Sequence, residues 1–420
     1  MVFWRFLGLL GLLVFVKALP SPVLQRGHLT SVQESNEVHP AVLSSTLGNS
    51  FLFSIPNMHY DDSDQSYTER ISLIVTNYDT NKTATVTVST PSAIFNTTTF
   101  TIQPLKNYKV SLPAEIQTNY RNRKVNYFSI ETKSISVTAD TKVTVVAQNE
   151  ASNGYGAGMF VVFPLCSLST TYRTMADDID SGRKWNKVAN SISIIATQDN
   201  TRVSINPVIT NPPTITLNSG EVMILASDSI PLINYEITSN YPVAVVTGTD
   251  CGYGYRKLDS NGCDYEATMS FPGPGTAGTA FAFQKFMYED QGVLVILGTE
   301  NNTIITANGR ALDMIDAFGY SIYLVQSTVC LTTNKPVYVY ASSIESRMAG
   351  VYGSPLVTHV PSIDQFTNQS LLQVTTGLSS VSKSDHFIRL ITYINPGNLN
   401  QVTTMLTIDG GDVPKGLFQQ

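Results

Sequence analysis

The segment Ala196-Thr-Gln-Asp-Asn200-Thr-Arg-Val-Ser-Ile205 aligns without gaps on Gly298-Thr-Glu-Asn-Asn302-Thr-Ile-Ile-Thr-Ala307. Each copy sets a polar Asp/Asn-Asn-Thr turn between two apolar runs. Ser193-Ile-Ile195 and Leu294-Val-Ile296 supply a strand before the turn, and alternating β-branched residues supply one after it. The expectation is two hairpins about a hundred residues apart. Self-similarity at such a spacing marks a repeat architecture.

A second match follows each of these segments. Thr238-Ser-Asn-Tyr-Pro242-Val-Ala-Val-Val246 is similar to Thr332-Thr-Asn-Lys-Pro336-Val-Tyr-Val-Tyr340, with a looser copy at Thr138-Ala-Asp-Thr-Lys142-Val-Thr-Val-Val146. Proline at the first residue of a strand costs no ladder hydrogen bond, and the Val-x-Val behind it turns one face inward. A closing strand is therefore expected to begin at each proline. The opening pattern recurs at Ile71-Ser-Leu-Ile-Val75 with Thr85-Val-Thr-Val88, and at Ile388-Arg-Leu-Ile-Thr392 with Thr404-Met-Leu-Thr-Ile408-Asp-Gly. These copies divide the chain into three β modules, 47–150, 151–270 and 271–360, and a partial fourth, 361–420. An all-β chain of tandem β-sandwich-like modules fits units of about 100 residues. The alternative is a propeller-like array with two blades per repeat, since one blade takes only about 40 to 45 residues.

Composition agrees with strands in an aqueous exterior. Of 420 residues only 14% are charged, the net charge is -6, and no Lys/Arg run exists that could track a phosphate backbone, which sets nucleic acid aside. The N-terminus reads Met1-Val-Phe-Trp-Arg5, then an apolar run from Phe6 to Val16, then Lys17-Ala18-Leu19-Pro20. That is the form of a secretory signal peptide over 1–18, cleaved after Ala18. The run is too short for a membrane span, which takes about 20 apolar residues, and no later segment is long enough. Residues 19–46 mix Pro, Ser and scattered apolar residues without a period and read as a flexible leader. Folded structure should begin near Phe51.

In a secreted chain, Asn81, Asn96, Asn301 and Asn368 are sequons for N-linked glycans at surface positions. Cys166, Cys251, Cys263 and Cys330 favour two disulfides, with three connectivities possible. The preferred one pairs Cys251 with Cys263, closing a loop worth roughly 3 kcal/mol on the loop-entropy model. Cys166 then pairs with Cys330 by elimination. Zinc is disfavoured because no two cysteines stand as C-x-x-C and no histidine lies nearby.

The aligned segments, together with Val162-Phe163-Pro164, Ser270-Phe271-Pro272 and His359-Val360-Pro361 opening successive units, and the stretch from Gly248-Thr-Asp-Cys251 to Cys263-Asp264-Tyr-Glu266, carry a family resemblance. Over most of 47–420 the chain resembles the IgGFc-binding protein N-terminal domain family. The resemblance implies a secreted, mucus- or matrix-associated glycoprotein whose modules bind partners non-covalently. The family's namesake continues into cysteine-rich von Willebrand type D repeats, of which this sequence has none. No residue motif for binding immunoglobulin Fc carries over.

Motifs for chemistry are weak. Gly273-Pro-Gly275-Thr-Ala-Gly278 matches G-x-G-x-x-G but sits between β modules with a proline inside, and reads as a linker. The acidic groups Asp61, Asp62, Asp64 and Asp177, Asp178, Asp180 lack the EF-hand register and read as solvated loops. The five histidines are scattered and no nucleophile elbow is present. No catalytic residue, metal or cofactor is expected. Tyr253, Tyr255 and Tyr265 crowd the Cys251–Cys263 loop and are the candidate binding patch, because rigid amphipathic rings give contact area at little entropic cost. Their alternative role is core packing. The expected function is non-enzymatic binding of an extracellular protein or glycan partner. A self-associating matrix component and a secreted carbohydrate-active enzyme are the alternatives.

Overall fold

The structure is a computed structural model that describes residues 12–17, 46–58, 68–118, 127–152, 156–176, 189–252, 264–286, 291–343, 356–366, 388–393, 407–408 and 411–412. Strand β1 (Leu12–Lys17) belongs to none of the three module sheets. The first module follows with β2 (Gly48–Phe53), β3 (Glu69–Asn77), β4 (Ala84–Ser89), β5 (Thr98–Ile102), β6 (Lys106–Leu112), β7 (Tyr127–Glu131), β8 (Ile135–Ala151) and β9 (Ala157–Val162). The second holds β10 (Ser169–Arg173), β11 (Asn190–Ala196), β12 (Thr201–Asn206), β13 (Thr214–Leu217), β14 (Val222–Ser227), β15 (Glu236–Gly252) and β16 (Asp264–Met269). The third holds β17 (Gly278–Gln284), β18 (Gly292–Gly298), β19 (Thr303–Ala307), β20 (Arg310–Ile315), β21 (Tyr320–Val325), β22 (Thr328–Ser342) and β23 (Val357–Val360). β24 (Ile388–Tyr393) runs parallel to β1, while β25 (Thr407–Ile408) and β26 (Gly411–Asp412) pair antiparallel.

One topology is used three times. The sheets run β5-β4-β8-β3-β6, β13-β12-β15-β11-β14 and β20-β19-β22-β18-β21, and in each the long strand also pairs with the first and last strands of its set. Each repeat is thus one curled seven-stranded sheet, which favours sandwich-like modules over paired four-stranded blades. Helical structure among the described residues is confined to single 3-10 turns. The first sheet runs on to Val162, past the limit at 150 read from the sequence, and β7 leaves the first set to extend the second sheet beside β14.

The two aligned turns are not hairpins. β11 and β12 do not pair with each other; both pair with β15, the first along Val243–Thr249 and the second along Glu236–Ser239. β18 and β19 stand in the same relation to β22. A local reading assigns each turn to its flanking strands, whereas a strand some forty residues downstream supplies the ladder. Nor do the closing strands begin at proline. Pro242 and Pro336 lie inside β15 and β22, where the register with β10 and β17 shifts and the long strand changes partners. The physical reason holds at the new place: a bulge, like a strand end, asks for no ladder donor.

The long strands change character at the bulge. Before it, side chains alternate between buried and exposed; after it, almost every residue is buried on both faces. Burial on both faces arises because the first and second curled sheets are each closed by the back of the next. Ile192 and Ile194 of β11 face their own concave core, whereas Ile195 joins Val222, Ile224, Ala244 and Val246 against the core of the first module. In the same way Leu294 and Ile296 of β18 face inward, and Val293, Val295 and Leu297 cap the second module. Burying one such side chain contributes about 1.5–3 kcal/mol, so a module without its successor would leave several such contributions unrealised.

Candidate binding surface

The molecule has two ends of different chemistry, set by the bulges of the long strands. The long strands end at Ala151, Gly252 and Ser342, and several residues singled out from the sequence fall outside the described residues. Among them are Tyr253, Tyr255 and Cys263, as well as Asp61, Asp62, Asp64, Asp177, Asp178 and Asp180. Cys251 is buried and disulfide-bonded.

Tyr265 is not a surface contact. Its side chain is buried in the core shared by the first two modules, and its hydroxyl donates to the Pro56 carbonyl at 3.0 Å. Burial pushes the phenol well above its ordinary pKa. Close backbone approach explains the site: a Cβ at Gly158 of β9 would stand 2.5 Å from the Tyr265 carbonyl oxygen. Beside it, the Asp264 carboxylate accepts the amides of Ala157 and Tyr265, both at 2.8 Å, which ties β16 to β9. The expected Cys166–Cys330 pair is also corrected. Both are free and exposed, Cys166 in the turn after β9 and Cys330 in β22, on different modules.

The Pro-containing junctions are packing devices as well. Phe163 and Phe271 meet edge to face with centroids 5.5 Å apart, and Phe271 stacks on His359 at 3.7 Å. His359 also lies 4.1 Å from Tyr340 and donates through Nε2 to the Met269 carbonyl at 3.2 Å. Burial holds this imidazole neutral, with its pKa pushed down to about 3. The G-x-G-x-x-G segment is a 3-10 turn between β16 and β17; Gly273 has φ near +73° and its carbonyl accepts the Tyr338 hydroxyl at 2.6 Å.

At the other end, the bulges are locked by one clasp, three times repeated. Asp140, Asn240 and Asn334 stand in the bulges of β8, β15 and β22. Their side-chain oxygens accept the backbone amides of Thr85, Arg202 and Ile304 at 2.9, 2.6 and 2.7 Å. The Thr85 amide holds the Asp140 carboxyl below the usual carboxylate range. Asn200 and Asn302 close their turns with φ near +58° and +56°, a left-handed conformation that asparagine tolerates. Thr197 and Thr299 donate to the carbonyls of Pro242 and Pro336. The sequence repeat that announces the modules is therefore the clasp.

Because the clasp fixes the backbone, the side chains of Thr85, Arg202 and Ile304 all point outward at one equivalent position, and all are exposed. Around them the three outer faces differ. In the first module a row of hydroxyls crosses the sheet, Thr99, Thr87, Thr138 and Ser50. In the second, Thr214, Ser204 and Thr238 form the equivalent row beside Arg202 and line a groove of about 320 Å³. In the third, Ile304 lies directly opposite Met314, and both are solvent-exposed. Of the sequons, Asn81, Asn96 and Asn301 are exposed, and Asn368 lies outside the described residues.

Tandem curled β sheets, each locked at its bulge by the same clasp, define a modular all-β protein. The chain belongs to the IgGFc binding protein family, whose model matches residues 158–419, more than half of its length. That match begins in β9 and leaves most of the first module outside, although its strand order repeats that of the other two. No curated protein matches the chain. Among the described residues no helix is long and apolar enough to cross a membrane.

Proposed function

We propose that the protein is a secreted, N-glycosylated, non-enzymatic binder of extracellular protein or glycan partners, which it holds on the outward faces of its modules. The observation that carries this reading is the divergence of one solvent-facing position on a common scaffold: Thr85, Arg202 and Ile304 sit on the same clasp, and packing demands none of them. Exposed side chains set by nothing internal are free to serve recognition. Secretion rests on the signal sequence and cleavage after Ala18, with the leader ahead of the modules. Glycosylation is supported by the exposure of Asn81, Asn96 and Asn301. Pairing of Cys251 with Cys263 belongs to the same proposal, since Cys166 and Cys330 are free. The family's name points to the Fc part of immunoglobulin G as one partner to try.

The test is retention. The full chain, expressed by secreting cells and immobilised, is exposed to mucosal secretions and, separately, to purified Fc. Retained material that falls away with the double variant Arg202→Ala, Ile304→Ser is the expected result; no retained protein or glycan from either source would sink the reading. A self-associating matrix component is the second reading, favoured by the exposed free thiols of Cys166 and Cys330. Light scattering of a strict monomer under oxidising conditions rules it out.

A further inference from the structure

We propose that the groove on the second module is a binding site for an acidic saccharide, a sugar carrying a carboxylate or sulfate, with Arg202 taking the anionic group. The inference rests on the reading of the protein as a binder and names the ligand class for one of its faces.

The groove is lined by Arg202, Ser204, Thr214, Thr238, Ser239 and Asn240. The strand registers put Ser204 directly between Thr214 and Thr238, and Arg202 one step along the same face of β12. The guanidinium is exposed and makes no ion pair or hydrogen bond among the described residues; at this clasp Arg202 uses its backbone amide, given to Asn240. The acid nearest in register on this face, Glu236, is taken by Arg173 at 3.1 Å. A planar, permanently charged fork with five donors and no internal partner is matched by a carboxylate or sulfate.

The rest of the lining selects for a polyol. Ser204 and Thr214 hydroxyls lie 2.8 Å apart, so one proton between them is committed and lone pairs remain for a ligand, while the Thr238 hydroxyl has no partner among the described residues. Apart from the stem of Arg202, no aliphatic group larger than a threonine methyl lines the groove, which gives an apolar peptide little to bury. Its floor is fixed by the Asn240 clasp, so binding need not order the backbone first. The equivalent face of the first module has the hydroxyls with Thr85 at the position of the cation, and that of the third has Ile304 in place of the cation and Ala311 in place of Thr214, keeping only Thr306 and Thr332 of the row. The site is thus peculiar to the second module.

Titration calorimetry of the intact secreted chain with 3′-sialyllactose, sulfated lactose, lactose and inorganic sulfate tests this. Expected are tighter binding of the two acidic sugars than of lactose, and a loss of about tenfold or more in Arg202→Ala, the scale of a lost charge-assisted hydrogen bond. Ser204→Ala with Thr238→Val should weaken both acidic and neutral sugars alike. Equal affinity for lactose and its sulfated form, or an unchanged Arg202→Ala variant, overturns the proposal. So does inorganic sulfate binding as tightly as sulfated lactose, which would mark a simple ion site. If the sugars fail while the chain still retains a partner from secretions, the saccharide class is wrong and the binding function stands.

Discussion

The second and third modules share a skeleton and differ in what they show to solvent. Inside, the correspondence is close: Ile192 and Ile194 against Leu294 and Ile296, Asn200 against Asn302, Asn240 against Asn334, Pro242 against Pro336. Outside, Arg202 faces Ile304, Thr216 faces Met314 and Thr214 faces Ala311 at equivalent places in register. Where core packing or a backbone hydrogen bond decides the residue, the chain uses the same chemistry twice. Where neither decides, the chemistry is free to change, as it does from Arg202 to Ile304 and from Thr216 to Met314, and these outward positions are thereby separated from the scaffold.

The sharpest way to break that separation is to cut one residue of each kind in the third module. Ile296→Ala removes a fully buried side chain and should cost about 2–5 kcal/mol of stability, the range for large-to-small core changes. Ile304→Ala, eight positions on but exposed, should stay within about 0.5 kcal/mol. Denaturant midpoints of the two variants in the same chain measure the difference; comparable losses would mean that the outer face is structural after all.

Acidification probes the junction between the same two modules. His359 is held neutral when folded, with a pKa of about 3 against 6.5 for the free imidazole, so between those values the unfolded chain binds the extra proton. Its contribution is therefore complete above pH 6.5 and is lost as pH falls toward 3, at up to about 1.4 kcal/mol per pH unit. Melting temperatures between about pH 6.5 and 4.5, a window above the ordinary carboxylate range, should fall in the native chain. They should fall less steeply in His359→Phe, which keeps an aromatic ring against Phe271 and Tyr340 but carries no titrating proton. Parallel slopes would show that His359 is not the group responsible.

Much of this fold was legible, and the unread part has a common cause. Alternation in β4, β12 and β19, the polar turns at Asn200 and Asn302 and the spacing of the copies all pointed to tandem β modules, because each is a local signal. Pairing was not local. Nothing in Ala196–Ile205 says that β15 will come between its two strands, and the proline rule applies equally to a strand start and to a bulge. Tyr265 admits both a surface and a core reading for a similar reason: a tyrosine beside a stapled loop has one composition whether its ring faces water or the neighbouring module, and its burial in the shared core decides for the second. The outward position at Arg202 carried no motif at all. Its signal lies in the repeat itself, as the position that changes from charged to apolar between two similar Thr-x-β-branched stretches.

A smaller effect tests whether the clasp is common property. Asn240→Ala and Asn334→Ala each remove the acceptor of one strand amide and should cost about 1 kcal/mol, the net value of a typical hydrogen bond, because an exposed bulge lets water replace part of it. Asn334→Asp should cost less than Asn334→Ala, since Asp140 performs the same acceptance in the first module. Chemical denaturation of the three variants decides; a harmless Asn→Ala change in both modules would reduce the clasp to a by-product of the bulge.

The smallest expected change in stability comes from exchanging the outward residues, Arg202→Ile together with Ile304→Arg. Both positions are exposed, both use only their backbone amide in the clasp, and both β-branched and long-chain residues are accepted on a strand's solvent face, so the sum should stay within about 0.5 kcal/mol. Recognition should respond quite differently. The second module then keeps its hydroxyl row without its cation, and the third gains a guanidinium beside Met314 with only Thr306 and Thr332 near it in register. If charge alone attracts an acidic ligand, the exchange leaves affinity where it was. If the hydroxyl row and the charge act together, affinity is lost from the second module and does not reappear on the third, and the unchanged melting curve assigns that loss to the surface.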